Sequence, residues 1–169
     1  VLQLRLTTNG DVLATTSKGL YCIGGDGRVR ERYWTGAKEN LRIPYDDLHH
    51  VLEDGDGVFW LSTRGAGLVR FESGTGRSQQ FNTRNGFPNN MVYAAYEDRQ
   101  GQLWLPTDGG LVRFDKETRQ STVFTTADGI AHDEFNRLAH AQAADGRLFF
   151  GGLNGVTAFD PAHFERNSH

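Results

Sequence analysis

Cysteine is nearly absent from this 169-residue chain: Cys22 stands alone, so no internal disulfide can form. A small strand residue after Leu20 and Tyr21 accounts for it better than a nucleophile does. Excess charge of either sign is missing too. Lys plus Arg number 18 against 21 Asp plus Glu, a net charge of −3, without the clustered basic surface that nucleic-acid binding requires. No apolar run approaches the ~20 residues of a membrane span, so no membrane contact is expected in this segment. No secretory leader is visible. The chain begins inside a strand-like alternation, Leu2, Leu4, Leu6, as a piece cut from something longer would. A long helical period is lacking as well. Residues 131–144 have the best helical composition, but residues 127–129 occupy the same linker position as residues 84–86, so loop then strand is expected there.

Glycine, by contrast, is plentiful: 21 of 169 residues against a usual figure of about 7%. The excess falls in one repeated phrase. Residues 101–114, GQLWLPTDGGLVRF, read as strand, tight turn and returning strand, with Asp108-Gly109-Gly110 as the turn. The phrase recurs at residues 57–71 and 146–159, and more weakly at 10–20. From Gly10 to Gly57, Gly101 and Gly146 the steps are 47, 44 and 45 residues. A fixed period of roughly 40–50 residues is that of a β-propeller blade.

Four blades follow, at residues 1–47, 48–91, 92–137 and 138–169. Strands are expected at 1–7, 12–16, 20–23 and 28–34; at 48–53, 59–63, 68–71 and 77–82; at 92–97, 103–107, 111–114 and 121–125; and at 138–142, 148–152 and 156–159. The fold class is therefore all-β, four antiparallel meanders, three complete and the last lacking its fourth strand before Asp160-Pro161 and a polar tail. A meander hides both faces only by stacking on its neighbours. Trp60, Trp104 and Phe149 share one repeat position, with Leu13 in the first copy. Phe71, Phe114 and Phe159 share another, with Ile23 near it. Packing between blades suits these bulky side chains better than a ligand cage. Thr16, Thr63 and Thr107 precede the hairpin turn, where their hydroxyls can satisfy backbone groups. Pro106 removes one ladder donor from its strand.

Candidate chemical sites are sparse. Residues 24–27, GGDG, lack the Lys-Ser/Thr and the helix of a phosphate loop, so a turn is expected. Asp54, Asp56 and Gly57 faintly suggest a calcium loop, but the further oxygens and the distal Glu are missing. His49 and His50 after Asp46-Asp47, and His132 before Asp133-Glu134, could be read as metal ligands. Neighbours on a strand point to opposite faces, so His49 and His50 cannot easily share one ion, and no metal or other cofactor is expected. Catalytic residues are likewise not expected.

The functional expectation is a surface. Linkers between blades (residues 38–47, 85–90 and 127–136) and the turns between second and third strands, at Lys18, Arg64, Asp108 and Asn154, should share one rim. Arg64, Asp108 and Asn154 occupy one repeat position with varied chemistry, as on the binding rim of many repeat proteins. They are the candidate contacts for a small polar ligand such as a saccharide.

Residues 98–115, DRQGQLWLPTDGGLVRFD, resemble the two-component regulator propeller repeat. Residues 129–137 and 145–161 resemble that family's last blade. The likeness is strong in repeats two to four and weak in the first, which lacks the Trp and the Arg-Phe. It implies a seven-bladed propeller, of which this chain would be about half, in the periplasmic sensor region of a bacterial hybrid histidine kinase or related receptor. It also implies sensing without catalysis in this segment, the output being a kinase or cyclase elsewhere. Exposed blade faces at both ends would then favour self-association. Two rivals are a self-contained protein-binding propeller and a metal-dependent propeller lyase or lactonase.

Overall fold

The computed structural model describes residues 1–55 and 57–164. It contains four antiparallel sheets, each a meander in strand order: β1 (Gln3–Leu6), β2 (Val12–Thr16), β3 (Gly19–Ile23) and β4 (Val29–Tyr33); β5 (Leu48–Asp54), β6 (Val58–Thr63), β7 (Leu68–Glu72) and β8 (Arg77–Phe81); β9 (Tyr96–Glu97), β10 (Gln102–Thr107), β11 (Gly110–Asp115) and β12 (Ser121–Phe124); and β13 (Phe135–Gln142), β14 (Leu148–Gly152) and β15 (Gly155–Phe159). The fold is all-β, as expected, and among the described residues the last sheet has three strands. Short 3-10 turns are the only helical elements among the described residues. Residues 84–86 and 127–129 do correspond: the turns Thr83–Asn85 and Thr126–Asp128 each end in a left-handed glycine, Gly86 and Gly129.

Two expected strands differ from observation. Residues 92–97 form a ladder only at Tyr96 and Glu97, with an isolated bridge from Val92 to Thr107. Pro106 is the cause. Its carbonyl accepts from Tyr93 N at 3.0 Å, but it has no N–H to return, and the pairing breaks opposite it. The first strand of the last sheet starts at Phe135, three residues early, and shifts register between Phe135 and His140.

The chain divides into two compact units, Val1–Phe81 and Asn82–His169. In the first, the face of sheet 1 carrying Leu13, Leu20 and Tyr33 packs on the face of sheet 2 carrying Phe59, Leu61 and Phe71, around Ile43 from the linker. Tyr33 meets Phe59 and Phe71 edge-on at 5.7 and 5.5 Å. Polar bonds fix the pair: Thr15 Oγ1 donates to the His49 carbonyl (3.1 Å), and Val51 N–H donates to Gln3 Oε1 (2.7 Å).

In the second unit, Trp104, Leu111 and Phe124 of sheet 3 pack on Leu148, Phe150 and Phe159 of sheet 4. The Trp104 and Phe159 rings lie 4.9 Å apart. In both units, then, the Trp-position residue faces forward to the next sheet, and the Phe-position residue faces back. That is the inter-blade core expected of these side chains.

Candidate functional site

The 2–3 hairpin turns are built alike. Thr16, Thr63 and Thr107 donate through Oγ1 to the carbonyls of Gly19, Gly67 and Gly110 at 2.7–2.8 Å. The same oxygens accept from the backbone N–H of Lys18, Ala66 and Gly109. The hydroxyls do hold the turns. Gly19 and Gly110 follow at φ +108° and +122°, where a Cβ would lie 2.2 Å from the Tyr33 carbonyl oxygen and 2.6 Å from that of Phe124.

These turns meet the linkers through the main chain. In the first unit Gly19 N–H donates to the Asp46 carbonyl (2.9 Å) and Arg64 N–H to the Asp47 carbonyl (3.0 Å). Tyr45 donates to the Arg64 carbonyl, and the Arg64 guanidinium faces Asp47 at 3.8 Å. In the second unit Gly110 N–H donates to the Asp133 carbonyl (2.7 Å), and the Tyr93 hydroxyl donates to Asp108 Oδ1. Linkers and 2–3 turns thus form one edge within each unit, as the sequence implied.

A linker buckle was not anticipated. Asp46 Oδ1 accepts from Thr35 N–H (2.8 Å), Asn90 Oδ1 from Thr83 N–H (2.9 Å) and Asp133 Oδ1 from Thr126 N–H (2.6 Å). The acceptors recur at intervals of 44 and 43 residues, positions 46, 90 and 133, which is the signal that could have found them. The residues near His132 that could be read as metal ligands take part in main-chain bonds. Asp133 is engaged by the linker, and His132 Nδ1 accepts from Glu134 N–H at 2.9 Å. His49 and His50 are buried on β5. Among the described residues no three His, Cys, Asp or Glu side chains are grouped to hold a metal ion. Asp54 has a structural task, accepting the Trp60 indole N–H at 3.0 Å; its companion in the calcium-loop reading, Asp56, lies outside the described residues.

Of the three candidate contacts, Arg64 lies in the first unit, and Asp108 and Asn154 in the second. Arg64 and Asn154 are exposed, and Asp108 is half-buried against Tyr93. Beside this edge, in the second unit, opens a cleft of about 250 Å³ lined by Tyr93, Glu134, Phe135, Asn136, Arg137 and Leu153. It presents a carboxylate, an amide, a guanidinium and a phenol beside Phe135 and Leu153, a donor–acceptor mixture suited to a small polar molecule. Leu153, which lines it, is the sequence neighbour of Asn154. Burial, then donation to Asp108, pushes the Tyr93 phenol up from its ordinary value.

Larger hollows lie at the opposite edge, among the 1–2 and 3–4 turns. One of about 630 Å³ in the first unit includes Asp11, Cys22, Arg30, Glu31 and Tyr33. One of about 320 Å³ in the second includes Glu97, Arg99, Asp145 and Asp160. Sequence reasoning missed both, because strand-end positions do not reveal how far apart two sheets splay. Burial and the neighbouring Asp11 raise the Cys22 thiol above its usual range, so it is held as the thiol.

Residues 86–108 match the sequence model of the two component regulator propeller family. Histidine kinase P4 of Formosa agariphila is 26% identical over 96% of this chain, which spans 14% of that kinase. Among solved structures, the extracellular domain of BT3049 from B. thetaiotaomicron, described as a hybrid two component system, superposes with a TM-score of 0.74 at 21% identity over 95% of this chain and 22% of that one. Virginiamycin B lyase from Staphylococcus aureus superposes at 0.59 and 17% identity, over 96% of this chain and 56% of the lyase. The fold is a β-propeller, and the resemblance to the two component regulator propeller repeat is borne out. Among the described residues no helix is long and apolar enough to cross a membrane.

Proposed function

We propose that this chain is a ligand-sensing module of a bacterial signal-transduction receptor of the histidine kinase type, facing the periplasm. It binds and does not catalyse, and the output is that of the parent receptor. The observation that carries this reading is the edge built from linkers and 2–3 turns. In each unit its backbone is tied by hydrogen bonds, at Gly19 and Arg64 in the first and at Gly110 in the second, where polar side chains of differing chemistry stand on a fixed frame around the cleft at Tyr93, Glu134 and Arg137. Preorganisation of that kind lowers the entropic cost of holding a small ligand. The related kinase from Formosa agariphila and the match at residues 86–108 favour signalling over the lyase alternative, which rests on fold likeness alone.

The ligand class we assign is a small polar molecule such as a saccharide. Isothermal titration with a panel of mono- and oligosaccharides tests it. At least one member should bind the wild-type chain, and the variant carrying Arg64→Ala, Asp108→Ala and Asn154→Ala together should lose that binding. Unchanged binding in the triple variant, or no binding of any member, would reject the assignment.

A further inference from the structure

The fourth sheet departs from the repeat at its linker edge. Gly151 and Gly152 stand where the other copies carry Thr15-Thr16, Ser62-Thr63 and Pro106-Thr107. This copy therefore lacks the threonine whose hydroxyl holds the 2–3 turn in the other three. The exchange makes room. A Cβ at Gly152 would lie 2.9 Å from the Glu134 carbonyl oxygen, and one at Gly151 would lie 2.6 Å from the Ala139 Cβ. What occupies that room is an enlarged β-bulge in β13. Between the pairs Phe135–Gly152 and His140–Phe150, residues 136–139 oppose Gly151 alone, four residues against one. The first strand of sheet 2 shifts by only one residue, between Leu48 and His50.

The bulge carries two of the cleft's polar groups, Asn136 and Arg137. Two side-chain bonds fold it. Asn136 Oδ1 accepts from Leu138 N–H at 3.0 Å, and His140 Nε2 lies 3.2 Å from the Arg137 carbonyl oxygen. A carbonyl only accepts, so Nε2 carries the ring proton. In the neutral ring Nδ1 then accepts, from the Tyr96 hydroxyl at 2.8 Å. The Tyr96 ring meets His140 edge-on at 5.6 Å and Phe150 at 5.9 Å. Tyr96 on β9, His140 and the Arg137 main chain thus tie the bulge to the packed interior between sheets 3 and 4.

We infer that His140 is a positioning residue of the cleft: its bond to the Arg137 carbonyl fixes the bulge that presents Asn136 and Arg137, and so sets the affinity for the bound molecule. The inference deepens the ligand-site reading and rests on it. Four residues opposite one glycine have little ladder to hold them, so losing this bond frees the guanidinium.

Backbone nitrogen-15 relaxation of the 169-residue chain tests the role of His140 with no ligand present. In the wild type, residues 136–139 should show order parameters of about 0.85, like the flanking strands. His140→Phe keeps a ring against Tyr96 but has no donor. Order parameters at 136–139 should then fall below about 0.6, with β14 unchanged. His140→Gln places an amide donor where Nε2 stood and should restore the wild-type values. Should circular dichroism show His140→Phe misfolded, His140→Asn carries the same expectation, since it still accepts from Tyr96 but does not reach Arg137. Calorimetric titration with the mono- and oligosaccharide panel is the second readout. Affinity should fall about 5-fold in His140→Phe and stay within about 2-fold of wild type in His140→Gln. An ordered bulge in His140→Phe, a bulge equally loosened in His140→Gln, or a loosened bulge with unaltered affinity would each overturn the inference. Failure of every saccharide to bind the wild type would reject the ligand assignment alone, and the order parameters would still uphold or overturn the role of His140.

Discussion

Trp104 donates its indole N–H to Asp98, Nε1 to Oδ2 at 2.8 Å, across the turn that opens β10. Trp60 makes the same bond to Asp54 at 3.0 Å. Where the ring loses its N–H the acid is gone too. Phe149 is matched by Ala143, and Leu13 by Thr7, three residues before the repeat glycine in every copy. The other Asp98 oxygen accepts from Gln100 and Gln102 N–H, both at 2.9 Å, so one carboxylate fixes both the turn and the ring.

Asp98→Ala should therefore destabilise the chain by about 2–3 kcal/mol, since it strands a buried indole N–H as well as two turn amides. Adding Trp104→Phe should recover part of the loss on the Asp98→Ala background, with a coupling of about 1 kcal/mol read from a double-mutant cycle in urea. Additive losses would mean that the indole bond contributes nothing.

Gly19 and Gly110 sit where a side chain would strike the backbone of the neighbouring strand. Ala at either should cost more than about 3 kcal/mol in unfolding free energy, because left-handed strain and a backbone clash act together. Gly10→Ala is the control. Its φ is +88°, but nothing lies within 4 Å of the added carbon, so only the conformational cost of roughly 1 kcal/mol remains. Thermal unfolding of the three variants separates the two effects.

Tyr33 and Tyr93 should titrate late. Burial first, then donation to Glu31 in one and to Asp108 in the other, raises both phenols above their ordinary value near 10. Because the folded values exceed the unfolded one, the stability they contribute is fully present below pH ~10 and is lost as pH rises through the folded values. Absorbance at the phenolate band should show that Tyr33→Phe and Tyr93→Phe each remove a late-ionising phenol, and Tyr33→Phe should flatten the alkaline loss of stability. Loss of an early-ionising phenol in either variant would contradict this.

Asp108 is aimed by Tyr93, so Tyr93→Phe should weaken ligand binding about 5-fold, the worth of roughly 1 kcal/mol, while leaving the cleft's other groups in place. Titration calorimetry against the saccharide identified with the wild type reads it directly. Unaltered affinity would place the ligand away from Asp108.

The repeat made most of the fold legible. Gly57, Gly101 and Gly146 mark the same turn, and the aromatics at Trp60 and Trp104 announce faces that need neighbours. The β9 interruption was only half legible: Pro106 declared a missing donor, but which partner residues would leave the ladder depended on register. The candidate edge was legible at Arg64, Asp108 and Asn154, because turns follow from glycine spacing. Asn136 fell within the expected linker at 127–136, but Tyr93 and Arg137 were not legible, because the expected strand at 92–97 is unladdered at Tyr93 and β13 begins earlier than expected, which puts Arg137 on a strand beside the edge. The buckle at Asp46, Asn90 and Asp133 repeats with the blades but was masked by changing neighbours.

The most direct test of the sensing edge is an amide proton–nitrogen correlation spectrum of the labelled chain during titration with the bound saccharide. The account predicts shifts at Tyr93, Asp108, residues 134–137 and Asn154, with Arg99 and Asp145 at the opposite edge unmoved. Shifts confined to Arg99, Asp145 and their neighbours would contradict it.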